Sequence, residues 1–260
     1  MFLPLVLLVI AGFPSTVHDQ WSRTFQIGQT PELAVRTSDA DVRVDRWDKS
    51  EIEAIVTTEG YKIGDGGITV SGNQNGNRVE LEVRFPREYF HMGFSHRRVD
   101  VVLHVPQSIN VDLHTGDGAI EVNGISGQMA LRSGDGHIEA SGVDGKLSAT
   151  AGDGHIKVRG RFDQLDIHTG DGSVEAEVLE GSNMSSGWTL HTGDGHLTMR
   201  VPESFSADVD IHTSDGKIDL GLGVFVLGRT ENHALHGRLN QGGQLLTLRA
   251  GDGSIRLEKL

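Results

Sequence analysis

Apolar and polar residues alternate along most of this chain, and the alternation recurs around a fixed tripeptide. Gly-Asp-Gly is centred on Asp117, Asp135, Asp153, Asp171, Asp194 and Asp252, with Ser-Asp-Gly at Asp215. The first four of these aspartates are 18 residues apart, and a constant period of that size marks one structural unit stacked on copies of itself. With each Asp numbered zero, position −6 reads Leu33, Val111, Met129, Leu147, Leu165, Trp188, Val209 and Leu246. Position −4 reads Val35, Leu113, Leu131, Ala149, Ile167, Leu190, Ile211 and Leu248. Position +3 is Val42, Ile120, Ile138, Ile156, Val174, Leu197, Ile218 and Ile255, and +5 is equally apolar, from Val44 to Leu257. A degenerate unit at Asp39, which lacks the glycines, keeps all four columns.

Positions −5, −3, +2 and +4 are mostly charged, His, Ser or Thr. Strict period-two alternation is the signature of a strand with one buried face. Each unit therefore reads as two strands of about five residues joined at Gly-Asp-Gly. Glycine reaches φ > 0 without steric cost and Asp accepts from nearby backbone N–H groups, so the tripeptide reads as a tight turn. Two architectures satisfy the parity. In a parallel β-solenoid, residue i pairs with i+18; in an antiparallel β-meander, Asp-Gly is a hairpin turn and −2 pairs with +3. Like residues recur over like along the columns, which favours the solenoid. The left-handed hexapeptide helix requires an apolar residue every six, and positions 120, 126 and 132 read Ile, Ser and Arg.

The organisation expected is a signal peptide and linker over residues 1–20, an N-terminal β region or cap over 21–105, and the β-solenoid repeat domain over 106–260. Residues 1–13, MFLPLVLLVIAGF, are continuously apolar. The run falls short of the roughly 20 residues of a membrane span and suits a signal-peptide core. No Lys or Arg precedes it and no Ala-x-Ala follows it, so a retained anchor is the alternative. The aromatic and basic loop Pro86 to Arg97 reads as a cover for an open end of the stack, with a binding loop as the other reading. Residues 221–244 insert a longer loop, and the last unit closes the array at Leu260.

Composition narrows the function classes. The chain has 35 Gly and no Cys, which fits a turn-dense all-β protein without disulfide or thiolate chemistry. The formal charge of −13 argues against nucleic acid and anionic membrane as partners.

The Asp row is a candidate calcium ladder, yet it supplies one Asp per turn where a hard cation takes six to eight oxygens. Position −3 is Arg36, His114, Arg132, Thr150, His168, His191, His212 and Arg249. A basic row beside an acidic one offsets its repulsion without metal. His191 and His196 flank Asp194 and form the one His/Asp/His set for zinc or copper; solvated strand residues are the plainer reading. No Ser/His/Asp set, nucleophile elbow or phosphate loop appears. No catalytic, cofactor-binding or metal residue is singled out, no cofactor is implied, and the protein is expected not to be an enzyme.

The repeated HTGDGxIxV pattern, the segments TSDADVRVDRWD and VPQSINVDLHTGDG, and the closing GGQLLTLRAGDGSIRL resemble the bacterial β-strand-repeat family known as "putative adhesin", a domain of unknown function. The resemblance covers about residues 25–260. It implies an exported or envelope-associated β-solenoid, with some relatives tied to envelope stress, and it transfers no catalytic or binding residue. The chain departs from the pattern at Ala40, which replaces glycine, and in the 221–244 insertion. The function expected is an exported cell-envelope or surface interaction module, in the periplasm, envelope or extracellular surface, displaying its outer face to a protein or glycan of the envelope. A scaffold assembling end to end is the alternative to a monomeric binder. A polysaccharide-active enzyme or a calcium-binding repeat is the remaining reading.

Overall fold

A computed structural model describes residues 18–86, 97–222, 224–226 and 233–260. The described residues are all-β, with no helix, in a solenoid-like arrangement. The strands of the N-terminal part are β1 (His18–Gln26), β2 (Glu32–Thr37), β3 (Asp41–Trp47), β4 (Glu51–Glu59), β5 (Thr69–Asn75), β6 (Arg78–Arg84) and β7 (Arg98–Pro106). The regular repeats supply β8 (Asn110–Thr115), β9 (Ile120–Asn123), β10 (Ser126–Ser133), β11 (Ile138–Ala151), β12 (Ile156–Thr169) and β13 (Val174–Val178). They continue as β14 (Trp188–Thr192), β15 (Leu197–Val201), β16 (Ala207–Thr213) and β17 (Ile218–Leu220). The chain then forms β18 (Val224–Val226), β19 (Ala234–Leu239), β20 (Leu245–Ala250) and β21 (Ile255–Lys259).

Pairing runs between units rather than within them. Leu131 lies opposite Leu113 on one side and Ala149 on the other, and Ile138 lies between Ile120 and Ile156, all in parallel. Two sheets result. The strands before the turn run β6-β2-β8-β10-β11-β12-β14-β20-β16, and those after it run β7-β3-β9-β11-β12-β13-β15-β21-β17. The alternating side chains of the four apolar columns meet between these sheets. Their burial is nearly complete from Leu33 through Leu131 and Ile167 to Leu257, except at Ile218 and Leu220, which are partly buried. Ile125, Val143 and Phe162, at the return corner, add an inward column that the sequence pattern did not display.

The chain does not climb the stack in sequence order. β2 and β3 lie between β6/β7 and β8/β9, and β20 and β21 lie between β14/β15 and β16/β17. The expectation that the last unit closes the array at Leu260 is therefore corrected. That unit is sandwiched, and the Asp215 unit is outermost. Its β16 edge is covered by antiparallel β19, which pairs with β18. At the other end, antiparallel β4 and then β1 cover β7, and antiparallel β5 covers β6. Covering strand edges in this way blocks edge-to-edge association.

The segment expected to be an irregular N-terminal region supplies two layers in the same ladders as the repeats. Val79 and Leu81 stand opposite Leu33 and Val35, and Val101 and Leu103 opposite Val42 and Val44. The β6/β7 layer escaped the column count because the sequence between β6 and β7 carries no Gly-Asp-Gly. Residues 18–20, expected within the linker, begin β1. Most of the 86–97 loop, including Tyr89, Phe90, His91, Phe94 and His96, and the apolar run 1–13 lie outside the described residues, as do 223 and 227–232 of the insertion.

Candidate functional site

The Gly-Asp-Gly turns form a ridge along one edge of the stack, and their chemistry differs from the sequence expectation. None of their glycines has φ in the left-handed range; the positive values fall instead at return-corner glycines such as Gly124 (71°) and Gly142 (63°). The glycines are required by proximity. A Cβ on Gly136 would stand 1.9 Å from the Gly118 carbonyl oxygen, and one on Gly154 2.1 Å from that of Gly136. The preceding glycines are nearly as close: a Cβ on Gly152 would lie 2.6 Å from the Gly134 oxygen. Ala40 is tolerated in the Asp39 unit because the layer behind it, β6/β7, has no Gly-Asp-Gly turn.

Hydrogen bonds between layers hold the ridge. Gly170 N donates to Gly152 O and Gly193 N to Gly170 O, both at 2.6 Å. Inside the turn, the position −2 hydroxyls are buried, and all but that of Thr37 bond across layers. Thr169 Oγ1 donates to Gly154 O at 2.9 Å, Ser133 Oγ to Gly118 O at 2.9 Å and Thr213 Oγ1 to Gly253 O at 2.7 Å. Position +2 makes a second ladder. Ser173 N donates to His155 Nδ1 (3.0 Å), His196 N to Ser173 Oγ (3.3 Å), Ser254 N to His196 Nδ1 (3.1 Å) and Lys217 N to Ser254 Oγ (3.2 Å). A backbone N–H only donates, so both imidazoles accept through Nδ1.

The carboxylates of Asp117, Asp135, Asp153, Asp171, Asp194, Asp215 and Asp252 are exposed and make no hydrogen bond or ion pair among the described residues. The expected neutralisation by the −3 row is therefore not what that row does. Four of its members, Arg36, Arg132, His168 and Arg249, bond −5 carboxylates on the outer sheet face. Arg36 Nη2 and Arg132 Nη1 converge on Asp112 at 2.5 and 2.8 Å, His168 Nε2 lies 2.9 Å from Asp166, and Arg249 Nη2 lies 2.5 Å from Asp210. Burial alone would raise the Asp112 carboxyl, but the hydrogen bonds and charges of Arg36 and Arg132 outweigh it and hold it below the usual range.

The His191/Asp194/His196 set does not converge. His191 lies on the outer face with its ring 5.9 Å from that of His168, whereas His196 Nδ1 is occupied by Ser254 N. Burial, then the charges of His168 and Arg249, hold the His191 imidazolium below the ordinary histidine range. No group of three or more His, Cys, Asp or Glu side chains among the described residues is placed to hold a metal ion.

A groove of about 510 Å³ lies on the outer face of the pre-turn sheet. It runs across β6, β2, β8, β10, β11 and β12, from Arg78 and Glu32 to Gln164 and Asp166. Its floor is low where position −5 is small, at Ala130 and Ser148. Gln128, Lys146 and Gln164, all at position −7, form one wall, and Arg132 stands on the other. Sequence reasoning missed this wall because position −7 lies outside the alternating columns that mark the core. The signal available was the pair of small −5 residues beside long polar ones.

Fold and ridge together define an all-β protein of stacked repeats. Residues 107–187 match the family model described as Toastrack DUF4097. No curated protein matches the chain. Among solved structures, a "putative cell adhesion protein" from Clostridium sporogenes is similar at 12% identity and a TM-score of 0.41, covering 94% of this chain and 100% of that one. A "putative adhesin" from Parabacteroides merdae is similar at 10% identity and a TM-score of 0.41, covering 92% and 95%. A "putative lipid binding protein" from Parabacteroides distasonis is similar at 15% identity and a TM-score of 0.43, covering 92% and 96%. No helix among the described residues is long and apolar enough to cross a membrane.

Proposed function

We propose that this protein is a non-enzymatic interaction module of the cell envelope or surface: a parallel β-solenoid of about 18-residue coils, exported, with its outer sheet face displayed to a partner. The observation that carries this reading is the groove over Ala130 and Ser148, a concave polar surface carried on a stack whose described core is filled and whose layers are locked by main-chain and hydroxyl ladders. Such a framework is rigid, and rigid display lowers the entropic cost of capturing a partner. The carboxylate in the groove with a shifted pKa is Asp112, held low between two guanidinium groups. That state suits an ion pair and is the opposite of what a general acid near neutral pH requires. The apolar run 1–13 supports export.

Fractionation of cells expressing the full chain with a C-terminal tag tests the reading. The protein is expected in the envelope or extracellular fraction and open to protease added outside the inner membrane. Recovery in the cytosol would overturn it. Turnover of an envelope polysaccharide by the purified chain, abolished by changing Asp112, would replace it with the enzyme reading.

A further inference from the structure

We propose that the groove over Ala130 and Ser148 binds an extended polysaccharide bearing carboxylates, a uronate polymer, with Lys146, Gln128, Gln164 and Arg132 as its contacts. This rests on the interaction-module reading and names its ligand class. Three observations lead to it. The first is an excess of unused donors. The ammonium of Lys146, the side-chain amides of Gln128 and Gln164, and the hydroxyl of Ser148 make no hydrogen bond or ion pair among the described residues. Arg132 spends Nη1 on Asp112 and keeps its other donors. The carboxylates that line the groove are already paired, Glu32 with Arg78, Asp112 with Arg36 and Arg132, and Asp166 with His168, so Lys146 is the unpaired charge of the lining, beside two free amides.

The second observation is periodicity. Gln128, Lys146 and Gln164 occupy the same position in three successive layers, on β10, β11 and β12. Parallel strands lie about 4.8 Å apart, so the wall offers one polar side chain per step of that length. A linear polymer of sugar rings presents hydroxyl and carboxylate acceptors at a comparable repeat. Amides bond hydroxyls in both senses, and Lys and Arg supply the charge for carboxylates.

The third observation separates a glycan from an acidic peptide. An extended peptide gains affinity chiefly by adding a strand to a free edge, with pockets for alternate side chains. β10, β11 and β12 are paired on both sides at the groove, so no main-chain edge is offered. Between the walls the floor presents Ala130 and Ser148, which make no apolar pocket for an anchor residue.

The test uses the purified chain and calorimetric titration with hexagalacturonate at low salt, beside maltohexaose and poly-L-glutamate. Binding of the uronate is expected, with at least fivefold weaker binding by the other two. Lys146→Glu should weaken it at least fivefold, Gln128→Ala with Gln164→Ala should also weaken it, and melting should be unchanged. Lys157→Glu makes the same charge change on the post-turn strand of β12 and should leave affinity intact. Absence of uronate binding, equal binding of poly-L-glutamate, or equal loss in Lys157→Glu would overturn the proposal. A protein that fractionates with the envelope yet binds no uronate would fail here alone, leaving the broader reading in place.

Discussion

Gly136 sits so closely over Gly118 that a Cβ on the former would stand 1.9 Å from the carbonyl oxygen of the latter. The same contact recurs up the ridge between Gly154 and Gly136, and between Gly253 and Gly195. Glycine is therefore demanded by the neighbouring layer rather than by the local backbone. Gly136→Ala should destabilise the protein by at least about 2 kcal/mol, because backbone rather than a flexible side chain must move. Gly142→Ala is a useful contrast: its cost comes from φ of 63°, and its Cβ would meet the layer behind at an ordinary 3.8 Å. Urea unfolding of both variants checks this; equal stability of Gly136→Ala and the parent would refute the packing account.

The buried hydroxyls at position −2 are a second tie between layers. Thr169 Oγ1 donates to Gly154 O while the equivalent positions Ala151 and Ala250 do without. Thr169→Val keeps the shape and removes the donor, and should cost about 1 kcal/mol. Chemical denaturation measures it. Ala151→Thr is the reciprocal change, and a gain in stability there would show that the ladder tolerates completion.

Asp117, Asp135, Asp153 and Asp171 stack one per layer, and their carboxylates make no hydrogen bond or ion pair among the described residues. At a strand spacing of about 4.8 Å, adjacent carboxylates repel by roughly 1 kcal/mol even at a water-like dielectric. Replacing Asp135, Asp153 and Asp171 together by Asn should raise the melting temperature at low salt, with the gain shrinking as salt is added. A lower melting temperature at every ionic strength would mean that these carboxylates stabilise the turns. Calcium added to the parent, against a chelator, is the companion measurement: an upward shift of the transition that the triple variant lacks would assign the ridge a cation.

His191 makes stability depend on pH. Its folded-state pKa is depressed, so on acidification the unfolded chain takes up a proton before the folded chain does. The stability it contributes is full above the unfolded histidine value of about 6.5 and is lost as pH falls through the lower folded value. His191→Gln should flatten the fall in unfolding free energy between neutral pH and about pH 5. The Asp112 ion pairs act lower: their contribution is present above the unfolded carboxylate value of about 3.9 and is lost as pH drops through the depressed folded value. An unchanged profile for His191→Gln would remove the histidine from the account.

The sequence alone determined the strands that flank the Gly-Asp-Gly turns, their inward faces and the 18-residue unit, because a buried face and a period of two leave a direct mark on residue type. It located the ridge for the same reason, since the close packing of Gly136 over Gly118 repeats wherever one Gly-Asp-Gly turn stands on another. It misassigned the cause of those glycines, because a demand for φ > 0 and a demand for space leave the same residue. Only the tertiary structure decided the order of the layers. β20 inserts between β14 and β16, and β2 between β6 and β8, and each layer presents much the same apolar columns to its neighbours, so the columns carry no information about which neighbour is chosen. The groove was hidden likewise. Lys146 and Gln128 are 18 residues apart in sequence and polar like many others, and become one wall only when parallel pairing sets their layers side by side.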